Sequence, residues 1–115
     1  MTKITYPSAE FLRSILRYDP ETGEFWWRHR ADRKNPWNAR YAGKPAGRFT
    51  KSGYREITIS RRLLQANRIA WIMVHGDIAT DLDIDHEDGD PSNNRIKNLR
   101  PATRSQNMWN CALPA

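Results

Sequence analysis

The sequence predicts a small α+β domain, and three observations carry that prediction. First, its 115 residues (13.5 kDa) are 38% hydrophobic and 28% charged, which is apolar material for one modest core. Second, apolar residues recur at helical spacing in one place, run almost unbroken in another and alternate with polar ones in a third. Third, the last part of the chain reads as strand, long polar loop, strand and helix. Residues 1–115 are therefore expected to form a single domain. About 8–75 should hold an N-terminal helix, a basic antiparallel β-sheet and a buried helix, and about 80–111 the strand–loop–strand–helix unit. No run approaches the roughly 18 apolar residues of a membrane span, and no secretory apolar stretch opens the chain, so a cytoplasmic protein without a membrane partner is expected. The lone Cys111 excludes an internal disulfide and a multi-thiolate zinc site.

Ser8 can cap a first helix, in which Phe11, Leu12, Ile15 and Leu16 form the core face. Asp19-Pro20-Glu21-Thr22-Gly23 is a turn, because proline presets φ and glycine accepts a positive one. Glu24 to Arg28, with Phe25, Trp26 and Trp27, reads as a strand. Residues 29–50 are basic and punctuated by Pro36, Gly43, Pro45 and Gly47, which predicts loop. From Gly53 the chain alternates, with Tyr54, Glu56, Thr58 and Ser60 on one face and Arg55, Ile57 and Ile59 on the other. A turn near Ser60–Arg62 returns it as a strand through Leu63 to Ala66. Arg68 to His75 is apolar almost all round and reads as a buried helix that Gly76 stops. A strand with Leu82 and Ile84 pointing inward follows, then a loop from Glu87 to Asn94 and a strand near Ile96–Leu99. Thr103 is placed to cap a last helix through Arg104, Gln106, Asn107 and Trp109.

The net charge of +6 conceals a division. Between Arg28 and Arg68 twelve basic side chains face only Asp32 and Glu56, a net +10: Arg28, Arg30, Arg33, Lys34, Arg40, Lys44, Arg48, Lys51, Arg55, Arg61, Arg62 and Arg68. From Asp77 to Asp90 seven carboxylates stand unopposed. Beyond them come Arg95, Lys97, Arg100 and Arg104. Fourteen of the 19 basic residues are arginine, the side chain that grips phosphate with two parallel hydrogen bonds. A basic platform beside a carboxylate cluster suits phosphodiester chemistry with a divalent cation: one part holds the nucleic-acid backbone, the other the metal.

The chemistry concentrates in Ile84-Asp85-His86-Glu87-Asp88-Gly89-Asp90-Pro91-Ser92-Asn93-Asn94-Arg95-Ile96-Lys97-Asn98-Leu99-Arg100 and the following Thr103-Arg104-Ser105-Gln106-Asn107. Asp85 and His86 sit at a strand end, where successive side chains face opposite ways. A break of the strand there would put the carboxylate on a cation and leave the imidazole free to take a proton from water. Asn98, on the returning strand, can hold the histidine ring in one orientation. Asn107 can offer a neutral oxygen to a hard cation. Asn93 and Asn94 are expected to close the loop through side-chain to backbone bonds.

This ordered set resembles the HNH family of nucleases, with its ββα-metal unit, and within it the phage-type subgroup of free-standing homing and nicking endonucleases. The Tyr-Asp-Pro-Glu-Thr-Gly turn, Ala46-Gly47 to Gly53-Tyr54, and Arg68-Ile69-Ala70-Trp71 to His75-Gly76 extend the likeness to about residues 10–110. The resemblance implies His86 as general base, Asn98 as the residue positioning it, and Asp85 and Asn107 as ligands of one divalent cation, Mg²⁺ or Mn²⁺, with no small-molecule cofactor. It implies DNA as partner, hydrolysis to 5′-phosphate and 3′-hydroxyl ends, and, for a phage-encoded chain, the host cytoplasm. Two departures stand out. Asp90 occupies a position where asparagine is common, and Asn67 one where histidine often precedes the arginine. The contacts to DNA are expected from Arg28, Arg30, Arg33, Lys34, Arg40, Lys44, Arg48, Lys51, Arg55, Arg61 and Arg62, with Arg95, Arg100 and Arg104 near the scissile phosphate. One active site per chain predicts a nick from a monomer and a double-strand break from a homodimer or two encounters. Two other functions compete. A non-catalytic DNA-binding module explains the basic block but has no use for carboxylates beside phosphate. An RNA-directed nuclease shares the chemistry, yet no RNA-binding motif is present.

Overall fold

A computed structural model describes residues 6–31, 33, 35–76 and 82–103. Among the described residues the architecture is α+β, with three α-helices and antiparallel ribbons of two, three and two strands. Helix α1 (Ala9–Ile15) starts where the Ser8 hydroxyl accepts the Phe11 N–H at 3.2 Å, and it buries Leu12 and Ile15. The chain turns extended at Leu16, one residue before the expected end, to enter β1 (Leu16–Tyr18). The turn to β2 (Phe25–Trp27) follows the sequence. The Asp19 carboxylate accepts the Glu21 N–H at 2.9 Å, the Asp19 carbonyl accepts the Gly23 N–H at 2.7 Å, and Gly23 takes φ +80°.

The stretch expected to be loop contains α2 (Asn35–Tyr41) and β3 (Arg48–Phe49). Pro36 stands in the first turn of α2, where its missing N–H has no partner to lose, so it starts the helix instead of breaking it. Strand β3 pairs with β4 (Arg55–Ile59), which pairs with β5 (Arg62–Gln65). Ser60 and Arg61 both take positive φ, 51° and 65°, the two-residue turn that matches the twist of a hairpin. Helix α3 (Ala66–His75) begins two residues earlier than its apolar run and is stopped by Gly76, whose N–H reaches the Ile72 carbonyl at 2.8 Å.

Strand β6 (Leu82–His86) pairs with β7 (Leu99–Thr103) from Leu82↔Thr103 to His86↔Leu99. The returning strand starts later than expected because Ile96–Asn98 form a 3-10 turn. Pro101 faces Ile84. The Ile84 carbonyl accepts from the Asn67 amide at 2.7 Å and the Leu82 carbonyl from Arg68 at 3.2 Å, so α3 is tied to the outer side of β6. Thr103 ends β7, and the helix expected beyond it lies outside the described residues.

One cluster of buried side chains joins these pieces. Leu12, Leu16, Phe25, Ile57, Leu64 and Ile69 are its largest fully enclosed members, and Ile84 and Leu99 bring in the β6–β7 hairpin. Burying such a side chain stabilises by about 1.5–3 kcal/mol. Among the described residues no helix is long and apolar enough to cross a membrane.

Candidate active site

Strand β6 runs unbroken to His86, so the pleat, and no break, separates Asp85 from His86. Ile84 and His86 are buried, whereas Asp85 is less enclosed. The imidazole is only 7% exposed, and its Nε2 lies 2.9 Å from the Asn94 amide oxygen. An amide oxygen can only accept. In the neutral ring Nε2 therefore carries the proton, and the basic lone pair sits on Nδ1. Among the described residues Nδ1 has no hydrogen-bond partner. The Tyr54 ring meets the imidazole edge to face at 5.9 Å between centroids.

Asn98 does something other than expected. Its amide oxygen accepts the Asp88 N–H at 3.0 Å, and its NH₂ donates to the Asp88 carboxylate and the Asn93 carbonyl, both at 2.9 Å. Asn98 thus laces the loop closed, and the side chain on the His86 ring belongs to Asn94. The physical reason is the 3-10 turn, which gives Asn98 to the loop interior. Asn93 closes the loop, but chiefly onto a side chain where backbone was expected, donating to Asp88 Oδ2 at 2.9 Å. The signal for Asn94 was the asparagine doublet itself, but nothing local says which member turns inward.

Asp88 and Asp90 shape this loop. Asp88 accepts the Asp90 N–H at 2.8 Å, and Asp90 accepts both the N–H and the hydroxyl of Ser92. The Asn93 amide, then the Asp90 N–H, hold the Asp88 carboxyl below its usual range. The Ser92 hydroxyl and N–H do the same for Asp90.

Asp85 faces Arg100, whose guanidinium approaches Oδ2 at 3.2 and 3.3 Å, so its surroundings accept a cation. Among the described residues no group of three or more His, Cys, Asp or Glu side chains gathers to hold a metal. A small hard cation needs no such cage, since one or two carboxylates with substrate phosphate oxygens and water suffice. Asp85 and an asparagine oxygen are donors of that kind. The second expected ligand, Asn107, lies outside the described residues, as do Arg104 and Lys34.

The basic platform divides on inspection. Arg33, Arg40, Lys44, Arg48, Lys51, Arg61 and Arg62 are exposed. Arg28 is exposed too, with its Nε on the Leu16 carbonyl at 2.9 Å, and Arg95 likewise uses its Nε on the Glu21 carbonyl at 2.9 Å. Two expected DNA contacts are not available. Arg55 is 5% exposed, and its guanidinium binds the Glu24 carboxylate at 2.8 Å, the Ala46 carbonyl at 2.8 and 3.0 Å, and the Phe25 carbonyl. Arg30 is buried over Trp37, its backbone N–H bonded to Asn38. A cleft of about 460 Å³ opens between α2 and the three-stranded sheet, lined by Trp27, Trp37, Arg33, Arg48 and Arg61 among others.

A solved structure described as DNA binding and cleavage by the HNH homing endonuclease I-HmuI is similar to this fold, with a TM-score of 0.63 and 21% sequence identity. The alignment covers 97% of this chain and 62% of that one, so the chain spans under two thirds of that protein's length. No curated protein sequence matches the chain. Residues 65–109 match the family described as HNH endonuclease. That segment holds α3, the β6–β7 hairpin and the loop between its strands.

Proposed function

We propose that the protein is a metal-dependent DNA endonuclease that hydrolyses phosphodiester bonds to 5′-phosphate and 3′-hydroxyl ends, within one domain spanning residues 1–115. The observation that supports this best is the enclosed His86 ring, held by Asn94 through Nε2 so that Nδ1 is the basic atom. Its likeness in fold to a homing endonuclease that binds and cleaves DNA supports DNA as the substrate.

His86 Nδ1 removes a proton from a water molecule as its oxygen attacks phosphorus in line, the bond to the 3′ oxygen breaks, and that oxygen takes a proton from solvent. Asp85 and Asn107 would hold one Mg²⁺ or Mn²⁺ ion, which when bound neutralises charge on the phosphate and the departing oxygen. Arg100, beside Asp85, keeps the carboxylate oriented and stands where a phosphate oxygen would arrive. The exposed cations Arg28, Arg33, Arg40, Lys44, Arg48, Lys51, Arg61 and Arg62 grip phosphates along the duplex, with Lys34, Arg95 and Arg104 as further contacts.

Supercoiled plasmid incubated with the protein and Mg²⁺, Mn²⁺ or EDTA is the test. Metal-dependent open circles are expected from a monomer and linear product from a homodimer. His86→Ala should lower the rate by about 10²–10⁴-fold. Cutting that is indifferent to EDTA or to His86→Ala refutes the proposal, and equal cutting of matched RNA would make it an RNA-directed enzyme.

A further inference from the structure

The turn between β1 and β2 reaches across to the loop that carries Asn94. The Tyr18 hydroxyl donates to the Asn94 backbone carbonyl. A Cβ at Gly23 would stand 2.7 Å from the Asn94 carbonyl carbon and 2.8 Å from the Arg95 nitrogen, so backbone lies directly on backbone there. The Pro20 carbonyl accepts the Ile96 N–H at 3.1 Å, and the Glu21 carbonyl accepts Arg95 Nε at 2.9 Å. Four points of the turn region, Tyr18, Pro20, Glu21 and Gly23, thus meet the three residues Asn94, Arg95 and Ile96, and Asn94 itself is only 2% exposed. Burial and the neighbouring Asp19 carboxylate push the Tyr18 hydroxyl above its usual range, so it remains a donor. Its ring packs on Phe25 at 4.7 Å, which fixes the hydroxyl from behind.

We propose that this turn is a positioning device for the proposed general base: Tyr18 and Gly23 fix Asn94, and Asn94 fixes the ring and the tautomer of His86. The proposal rests on the role assigned to His86 above, but half of its consequence can be read without DNA. An imidazole with an amide oxygen on Nε2 keeps its proton there, whereas a loosened Asn94 lets the ring share the Nδ1–H form. Tyr18 and Gly23 touch neither substrate nor ring. They are positioning residues, supplied by the half of the chain otherwise concerned with gripping DNA.

Long-range ¹H–¹⁵N NMR of the full chain at alkaline pH, where the imidazoles are neutral, reads the tautomer directly, with His86→Gln identifying the signals. The wild-type ring should be in the Nε2–H form. Asn94→Ala and Tyr18→Phe should each bring in a measurable Nδ1–H share, and Asn94→Asp, which keeps an oxygen on Nε2, should restore the wild-type form. In plasmid cleavage Tyr18→Phe should lower kcat roughly tenfold with KM for DNA unchanged, since no phosphate contact is lost. Gly23→Ala should do the same more severely. Should it fail to fold, Tyr18→Phe, which retains the packing on Phe25, still decides. A wild-type tautomer population in Tyr18→Phe, or in Asn94→Ala, overturns the inference whatever the cleavage rates. If the tautomer shifts as described but the wild type cuts no DNA, the nuclease assignment falls and the structural coupling stands.

Discussion

In the three-stranded sheet and α2 the side chains that hold the fold together and those left facing solvent are both arginines. In the β6–β7 hairpin the ordering is done by asparagines. Arg55 spans Glu24, Ala46 and Phe25 from inside the sheet, whereas Arg48, on the neighbouring strand β3, is 73% exposed and only approaches Glu56 at 3.9 Å. The hairpin has no such cation in its interior. Asn67 donates from α3 to the Ile84 carbonyl, Asn94 accepts at the imidazole, and Asn93 and Asn98 use both ends of their amides within the loop. The difference teaches that a charged group serves a surface where distance matters little, while a neutral amide, able to donate and accept at once, serves a site where a ring must point one way.

The hairpin side of this contrast is tested most strongly at Asp85. Asp85→Ala should lower metal-dependent cleavage on the order of 10²-fold or more, because it removes the only described carboxylate expected to help hold charge-neutralising metal. Asp85 is largely enclosed but its partner Arg100 is half exposed, so losing the ion pair should cost about 1 kcal/mol and move the melting temperature by only a few degrees. A matching loss of Tm would show that the carboxylate serves the fold.

Two substitutions among the arginines separate what the sequence merges. Arg55→Met should destabilise by about 2–4 kcal/mol, since it strands the Ala46 and Phe25 carbonyls and one partner of an ion pair, the Glu24 carboxylate being itself half exposed. Arg48→Ala should leave stability within about 0.5 kcal/mol. It should instead weaken DNA binding uniformly across sequences and reduce the slope of log affinity against log salt by about 1. Urea melts and a salt series on both variants check the pair; identical behaviour would erase the distinction.

The smallest effect concerns acid. Asp88 and Asp90 have folded pKa values lowered by their hydrogen bonds. The stabilisation they give the loop is therefore fully present above the ordinary aspartate value of ~3.9 and is lost as pH falls through the lowered folded values. Amide exchange at Asp90 and Ser92 should stay slow on acidification to about that ordinary value and quicken only below it. The β4–β5 hairpin should not follow.

Much of this division was legible before any coordinates. The alternation from Tyr54 to Ser60 places Arg55 on the same face as Ile57 and Ile59, which is the signal of its burial and outweighs its membership of the basic block. The apolar run from Ile69 to Val74 located α3, and Ser8 located α1. Helix α2 escaped because Pro36 and the surrounding basic residues read as loop, although proline in a first turn costs a helix nothing. The order Asp85-His86, loop, Asn98-Leu99-Arg100 is sufficient to place these residues on a hairpin and its loop. It could not choose Asn94 over Asn98, because that choice is made by Tyr18 and Gly23, far away in sequence. Long-range docking of one irregular segment on another leaves no periodic trace.

The tie between α3 and β6 carries a further consequence. A two-stranded ribbon ordinarily offers its unpaired side to any extended chain that drifts past, and adhesion of that kind is how folded proteins begin to clump. Here the outward carbonyls of Leu82 and Ile84 are already taken by Arg68 and Asn67, and the proline facing Ile84 on β7 withholds no rung that the ladder needed. The same two side chains that steady the hairpin therefore also occupy the outer edge of β6, where another strand would otherwise pair.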